Sequence, residues 1–202
     1  MRPAHVTILA SLLLAASPPG LAATGDGAGA LPAALAARAQ SCAACHGPEA
    51  AAEMPIIGGQ HAAYLYLQMR DYQSGNRADP RMAGAVDGLD RDQLIALARH
   101  FAADPWPANG AEPAGQSARQ QARSAISAGE CSQCHLGGFK GDSRVPRLAG
   151  QREDYLHATL LAFKHGGRSN SPAMADLMAG FSDEEIAAMA AYLAGYRDDA
   201  SP

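Results

Sequence analysis

The chain has 202 residues and a formal net charge of -4, length enough for one domain or two small ones. An acidic balance with no basic block excludes nucleic acid as an expected partner. The four cysteines leave two kinds of role open, disulfides or a covalently or coordinately bound group.

Met1-Arg2 is followed by the apolar run VTILASLLLAA and then a Pro/Ala/Gly stretch, the order of a secretory signal peptide. The apolar core spans about ten residues where a membrane-spanning helix needs about 20. Residues 1–23 are therefore expected to be removed near Ala23, with registers up to Ala30 open. A retained leader would instead tether the protein to the membrane. Cleavage removes Arg2 and leaves the mature chain more acidic.

Residues 34–44 form an alanine-rich run free of proline and glycine, which predicts a helix ending in SCAACHG, residues 41–47. A second helix is predicted over 61–73, with Tyr64, Leu65 and Leu67 on its apolar face. A polar stretch punctuated by Pro and Gly, which holds Met82, reads as a loop. Asp90 followed three residues later by Gln93 is a capping-box signal, and Leu94, Leu97 and Phe101 supply the apolar stripe of the helix it opens. These segments make a first domain over 31–104. The stretch AADPWPANGAEPAGQ that follows suits a linker, assigned to 105–116, because proline restrains the chain and glycine relaxes it. Trp106, the one tryptophan, is expected to pack between the halves or against one of them.

The second half, 117–197, repeats the order. A helix is predicted over 117–131, running into ECSQCHLG. Another follows over 152–164 with Leu156, Leu160 and Leu161 inward. Met174 falls in a loop, and a last helix is opened by Ser182 with Glu185 three residues on. Pro55, Gly59, Gln60, Tyr64 and Leu65 align with Pro146, Gly150, Gln151, Tyr155 and Leu156; Pro80, Met82, Gly88 and Leu89 align with Pro172, Met174, Gly180 and Phe181. No β-rich alternating run occurs, so the fold class is all-α, in two tandem domains. Each has about 80 residues, too few for a generous apolar core, and a group packed at its centre would supply the missing volume.

The two C-x-x-C-H signals consume every cysteine: Cys42 and Cys45 before His46, and Cys131 and Cys134 before His135. This is the attachment signal of a c-type haem, in which both thiols bond the vinyl groups and the histidine ligates iron. A zinc site is disfavoured because each histidine adjoins a cysteine and cannot easily fill another corner of the same tetrahedron. Two local disulfides lack the strand setting of a thioredoxin-like site. Two covalent haem c groups are thus expected, with His46 and His135 as proximal iron ligands.

The distal position decides between electron carriage and substrate chemistry. Met82 and Met174 recur after a G-x-R and a proline in both halves, and are expected to be the distal ligands. Met178 competes in the second half, but Val86 is its counterpart and cannot ligate, so Met178 is read as packing. Met54, Met69 and Met189 have non-methionine counterparts, and His61, His100, His157 and His165 have no histidine counterparts. Pro55 and Pro146 are candidates to offer a carbonyl to the second nitrogen of each ligating imidazole, although a simple turn explains them nearly as well.

The motifs CAACHG and CSQCHLG, PIIGGQHAAYL and PRLAGQREDYL, GNRADPRM and GGRSNSPAM, and the two closing helices together resemble the di-haem class I cytochromes c of the cytochrome c4 family. The resemblance covers nearly all of the expected mature chain. It implies two His/Met haem domains facing each other across a pseudo-twofold, with Pro55 and Pro146 presenting carbonyls to His46 and His135, and with Tyr64 and Tyr155 near the haem edges. It also implies a periplasmic carrier passing single electrons between membrane oxidoreductases, such as a bc1-type complex, and a terminal oxidase, any membrane association coming through such partners or an uncleaved signal. The runner-up is an electron-transfer subunit of a larger dehydrogenase. A di-haem peroxidase or thiosulfate-oxidising enzyme would need an open iron or a specialised ligand, and no extra cysteine is available.

Overall fold

A computed structural model describes residues 31–197; the expected signal peptide lies outside the described residues. The described chain is helical, with one isolated bridge between Asp142 and Val145. Four helices make the first half: α1 (Ala33–His46), α2 (Ala62–Ser74), α3 (Pro80–Val86) and α4 (Arg91–Ala102). The second half has α5 (Gln116–Ala128), α6 (Cys131–His135), a 3₁₀ turn over Gly137–Phe139, α7 (Glu153–Lys164), α8 (Pro172–Met178) and α9 (Asp183–Ala194).

Local chemistry sets the ends of these helices. Both expected capping boxes are present: Asp90 and Ser182 accept the backbone N–H of Gln93 and Glu185, whose side chains reach back to the cap residues. Each box satisfies two amides that a helix start leaves without an internal partner.

Two expectations need correction. The segment around each of Met82 and Met174 is a short helix, not a loop. Pro80 and Pro172 stand at the first helical position, where the missing N–H costs nothing, and Asp79 caps α3 by accepting from the N–H groups of Arg81 and Met82. The second correction concerns the helix predicted over 117–131. It ends at Ala128, and after Gly129 the chain passes through Glu130 at φ 51° before α6 begins. The first attachment signal therefore closes a continuous helix, whereas the second forms one of its own.

Apolar burial gathers into two separate clusters. Leu35, Ala39, Leu65, Leu97, Ala98 and Phe101 form that of the first half. The larger second cluster includes Ile126, Phe139, Leu156, Leu160, Phe163, Met178, Ile186, Met189 and Leu193. Where the halves meet, the repeat becomes a reciprocal clamp. Gln60 donates to the Arg147 carbonyl at 3.0 Å and accepts the Arg147 N–H at 2.9 Å. Gln151 does the same to Ile56, at 2.9 and 2.8 Å. His61 reaches the Lys140 carbonyl at 2.8 Å, and its counterpart Arg152 donates to the carbonyls of Gly47, Pro48, Ala51 and Met54.

Trp106 fills the seam, as expected. It lies against Gly59 and Gly150, two glycines that occupy the same place in the repeat and both have positive φ (73° and 72°). A Cβ at Gly59 would stand 2.7 Å from the Trp106 amide nitrogen, and one at Gly150 would stand 3.1 Å from its indole nitrogen. The Arg147 guanidinium lies over the Trp106 ring at 4.7 Å, a favourable cation–π arrangement. Farther along, the Asn109 amide donates to the carbonyls of Gln151 and Ala194, which ties this stretch to the second half.

Candidate functional site

One continuous cavity of about 1480 Å³ runs between the halves. Eleven of the twelve residues singled out from the sequence lie on its wall: Cys42, Cys45, His46, Pro55, Tyr64, Met82, Cys134, His135, Pro146, Tyr155 and Met174. Cys131, one helical turn before Cys134, instead packs against the second apolar cluster. None of the four cysteines is joined to another in a disulfide.

The two histidines are held alike. His46 closes α1 and donates from Nδ1 to the Pro55 carbonyl at 2.9 Å; His135 closes α6 and donates from Nδ1 to the Pro146 carbonyl at 3.0 Å. A carbonyl only accepts, so Nδ1 carries the proton and Nε2 keeps its lone pair, the tautomer that binds a metal. Burial holds both imidazoles below the usual histidine range, and the carbonyl bonds offset this only in part. Neutral imidazole is the form that ligates. Burial likewise raises the Cys42 and Cys131 thiols, against the opposing charge of Arg38 at Cys42.

The methionines differ in their placement. Met82 and Met174 are on the cavity wall, whereas Met178 is 2 % exposed, belongs to the second apolar cluster and does not line the cavity. Met54 and Met69 also line the wall, and Met189 is core. None of His61, His100, His157 and His165 is a wall residue.

Sequence reasoning missed the polar centre of the cavity. Arg77 donates to the Tyr155 hydroxyl at 3.2 Å and Arg168 donates to the Tyr64 hydroxyl at 3.3 Å, so each half's arginine holds the other half's tyrosine. Both guanidiniums also donate to Gln68 Oε1, at 2.9 and 2.8 Å. Asn170 donates to Gln68 Oε1 and to Asp71 Oδ2. Burial pushes the Tyr155 phenol up, but the Arg77 and Arg168 charges and the Arg77 hydrogen bond bring it down to about 7. At Tyr64 burial prevails and the phenol is raised. The signal in the sequence is the G-x-R shared by the repeats, whose arginines are Arg77 and Arg168.

Three cysteines on one large cavity with Cys131 a helical turn away, two neutral imidazoles with their second nitrogen anchored, and methionine thioethers from both halves are a donor set that fits two c-type haems. A family model described as cytochrome C oxidase, cbb3-type, subunit III matches residues 117–193. A cytochrome c4 of Thiocapsa roseopersicina is 34 % identical over 166 residues, spanning 76 % of this chain and 86 % of that protein. The chain belongs to the cytochrome c4 family. It is also 36 % identical over 170 residues to a thiosulfate dehydrogenase electron acceptor of Stutzerimonas stutzeri, with 77 % of this chain and 79 % of that one covered. The crystal structure of reduced recombinant cytochrome c4 from Pseudomonas stutzeri superimposes with a TM-score of 0.72 at 25 % identity, over 81 % of this chain and 97 % of that one.

As a cytochrome c4, the protein is an electron-transfer cytochrome with two covalently attached haem c groups. The irons supply one-electron exchange between ferrous and ferric states. The chain's own part is to fix the imidazole tautomers through Pro55 and Pro146, to enclose the cavity with apolar side chains, and to hold the two halves together through Gln60 and Gln151. Among the described residues, no helix is long and apolar enough to cross a membrane.

Proposed function

We propose that this protein is a periplasmic carrier that passes single electrons between respiratory oxidoreductases, such as a bc1-type complex, and a terminal oxidase. In this reading residues 31–104 and 117–197 are the two haem domains, 105–116 joins them, and 1–23 direct export and are removed. Cys42 and Cys45 bind one haem and Cys131 and Cys134 the other. His46 with Met82, and His135 with Met174, complete the two iron sites, while Tyr64 and Tyr155 lie beside the haem edges.

The observation that carries this reading is the pair of Nδ1 bonds to proline carbonyls, combined with a methionine from each repeat on the same cavity wall. An iron filled on both sides changes charge with little rearrangement and offers no coordination position to a substrate. A second reading is supported by the thiosulfate dehydrogenase electron acceptor among the relatives: this chain takes electrons from a partner dehydrogenase, either as a carrier or as its fixed subunit.

Intact-mass measurement of purified holoprotein is expected to show two haems retained on denaturation; one haem on a fully matured chain would reject the two-site assignment. Met82→Ala and Met174→Ala should each remove about half of the weak sulfur-to-ferric-iron absorption and open one haem to carbon monoxide, since each removes one of two ligands of the same type. Met178→Ala should leave both signals intact. Co-purification from native membranes, with stopped-flow oxidation and reduction by the recovered proteins, separates the two readings: a single stoichiometric dehydrogenase favours the second.

A further inference from the structure

Around the cavity the two halves obey their twofold closely. The Arg77 N–H donates to the Asp71 carbonyl at 3.1 Å, and the Arg168 N–H donates to the Ala162 carbonyl at 2.9 Å. The Arg77 guanidinium lies over the Tyr72 ring at 4.7 Å, and that of Arg168 lies over the Phe163 ring at 4.4 Å. These matched contacts make Asp71 and Ala162 structural equivalents. There the symmetry fails: one half carries a carboxylate, 7 % exposed, where the other carries a methyl group.

The carboxylate is held in place without being cancelled. Asp71 Oδ2 accepts from the neutral Asn170 amide at 2.7 Å. Its Oδ1 lies 3.6 Å from Arg70 Nη2, on a side chain that is 53 % exposed, and water screens such a charge. Arg77 and Arg168 occupy matched places in the twofold, each over an aromatic ring of its own half. Asp71 is a buried carboxylate on the cavity wall whose place in the other half carries no charge.

We propose that Asp71 makes the two haem sites electrostatically unequal and so determines which site holds the electron when the protein is half reduced. The proposal rests on the two-haem carrier reading. A centre that gains positive charge on oxidation is stabilised in that state by a nearby anion, and the low dielectric of a buried cavity strengthens the effect. The site more strongly coupled to Asp71 thus has the lower reduction potential, and the electron settles on the other.

The test is a spectroelectrochemical titration of wild-type, Asp71→Asn and Ala162→Asp holoproteins, each first checked for two haems by mass and for unchanged ligand absorbance. The wild type is expected to reduce in two steps. Asp71→Asn should raise the lower step more than the upper, moving the half-reduced electron distribution toward even by about three- to tenfold. Ala162→Asp places the missing charge in the second half and should lower the upper step. A separation unchanged or widened in Asp71→Asn, in protein with two normally ligated haems, overturns the role of Asp71 and leaves the carrier reading standing. Wild type lacking a second haem or methionine ligation overturns the carrier reading itself. If Asp71→Asn fails to fold, Ala162→Asp decides, and an unmoved upper step overturns the proposal.

Discussion

The two halves share a repeat, a pair of capping boxes and the same histidine anchor, yet they bury themselves differently. In the second, α5 and α7 each pack against α9, with Ile186 and Ala122 fully buried and Leu156, Met178 and Met189 at 2 % exposure. In the first, α1 meets α4 over a short stretch, and its cluster rests mainly on Leu35, Leu65, Leu97 and Phe101. Burial of apolar area is the main favourable term in folding, so the same topology leaves the first half more dependent on its haem than the second.

The largest expected effect tests that dependence. Cys42→Ser/Cys45→Ser, which removes covalent attachment in the first half, should abolish amide protection through α1–α4 while α5, α7 and α9 stay protected. Cys131→Ser/Cys134→Ser should leave a partly protected second half. Hydrogen exchange reads both, and equal loss in the two variants would show that the haems contribute equally.

The clamp between the halves gives a smaller effect with a sign of its own. Gln151→Ala leaves the N–H and carbonyl of Ile56, a residue 3 % exposed, without their partners, at a cost of about 1–3 kcal/mol. Gln60→Ala should cost less, because its partner Arg147 is half-buried and water can replace the lost bonds. Denaturant unfolding compares them; a larger loss for Gln60→Ala would reverse the assignment.

The caps should not distinguish the halves. Asp90→Ala and Ser182→Ala each remove one capping box and should each lower stability by about 1 kcal/mol, measured by the same unfolding experiment.

The smallest effect belongs to the second half alone. The hydrogen bond from Lys164 holds the Asp183 carboxyl below the usual carboxylate range, whereas its counterpart in the first half is Arg91. A depressed folded-state pKa stabilises above the unfolded value and is lost as pH falls through the folded one. Acidification from about pH 5 downward should therefore remove a small stability contribution that Asp183→Asn already lacks. Parallel melting of the two proteins across that range would show that the bond is inert, as many exposed pairs are.

Much of this was legible in the sequence because it depends on neighbours in the chain. The C-x-x-C-H spacing, the two capping boxes, the middle helices and the reading of Met178 as packing all follow from residues a few positions apart or from matching one repeat to the other. Where the structure departs from the local pattern the cause is also local: Pro80 and Pro172 at a helix start turn expected loops into α3 and α8, and Gly129 with Glu130 divides an expected helix. The crossed bonds of Arg77 to Tyr155 and Arg168 to Tyr64, the Gln60 and Gln151 clamps and the seat of Trp106 between Gly59 and Gly150 join residues about forty to one hundred positions apart. No periodicity encodes such pairs, because a side chain's partner across an interface depends on how two finished surfaces meet. The repeat aligned Asp71 with Ala162; only the packing of the halves against each other showed that the carboxylate is buried and faces Asn170.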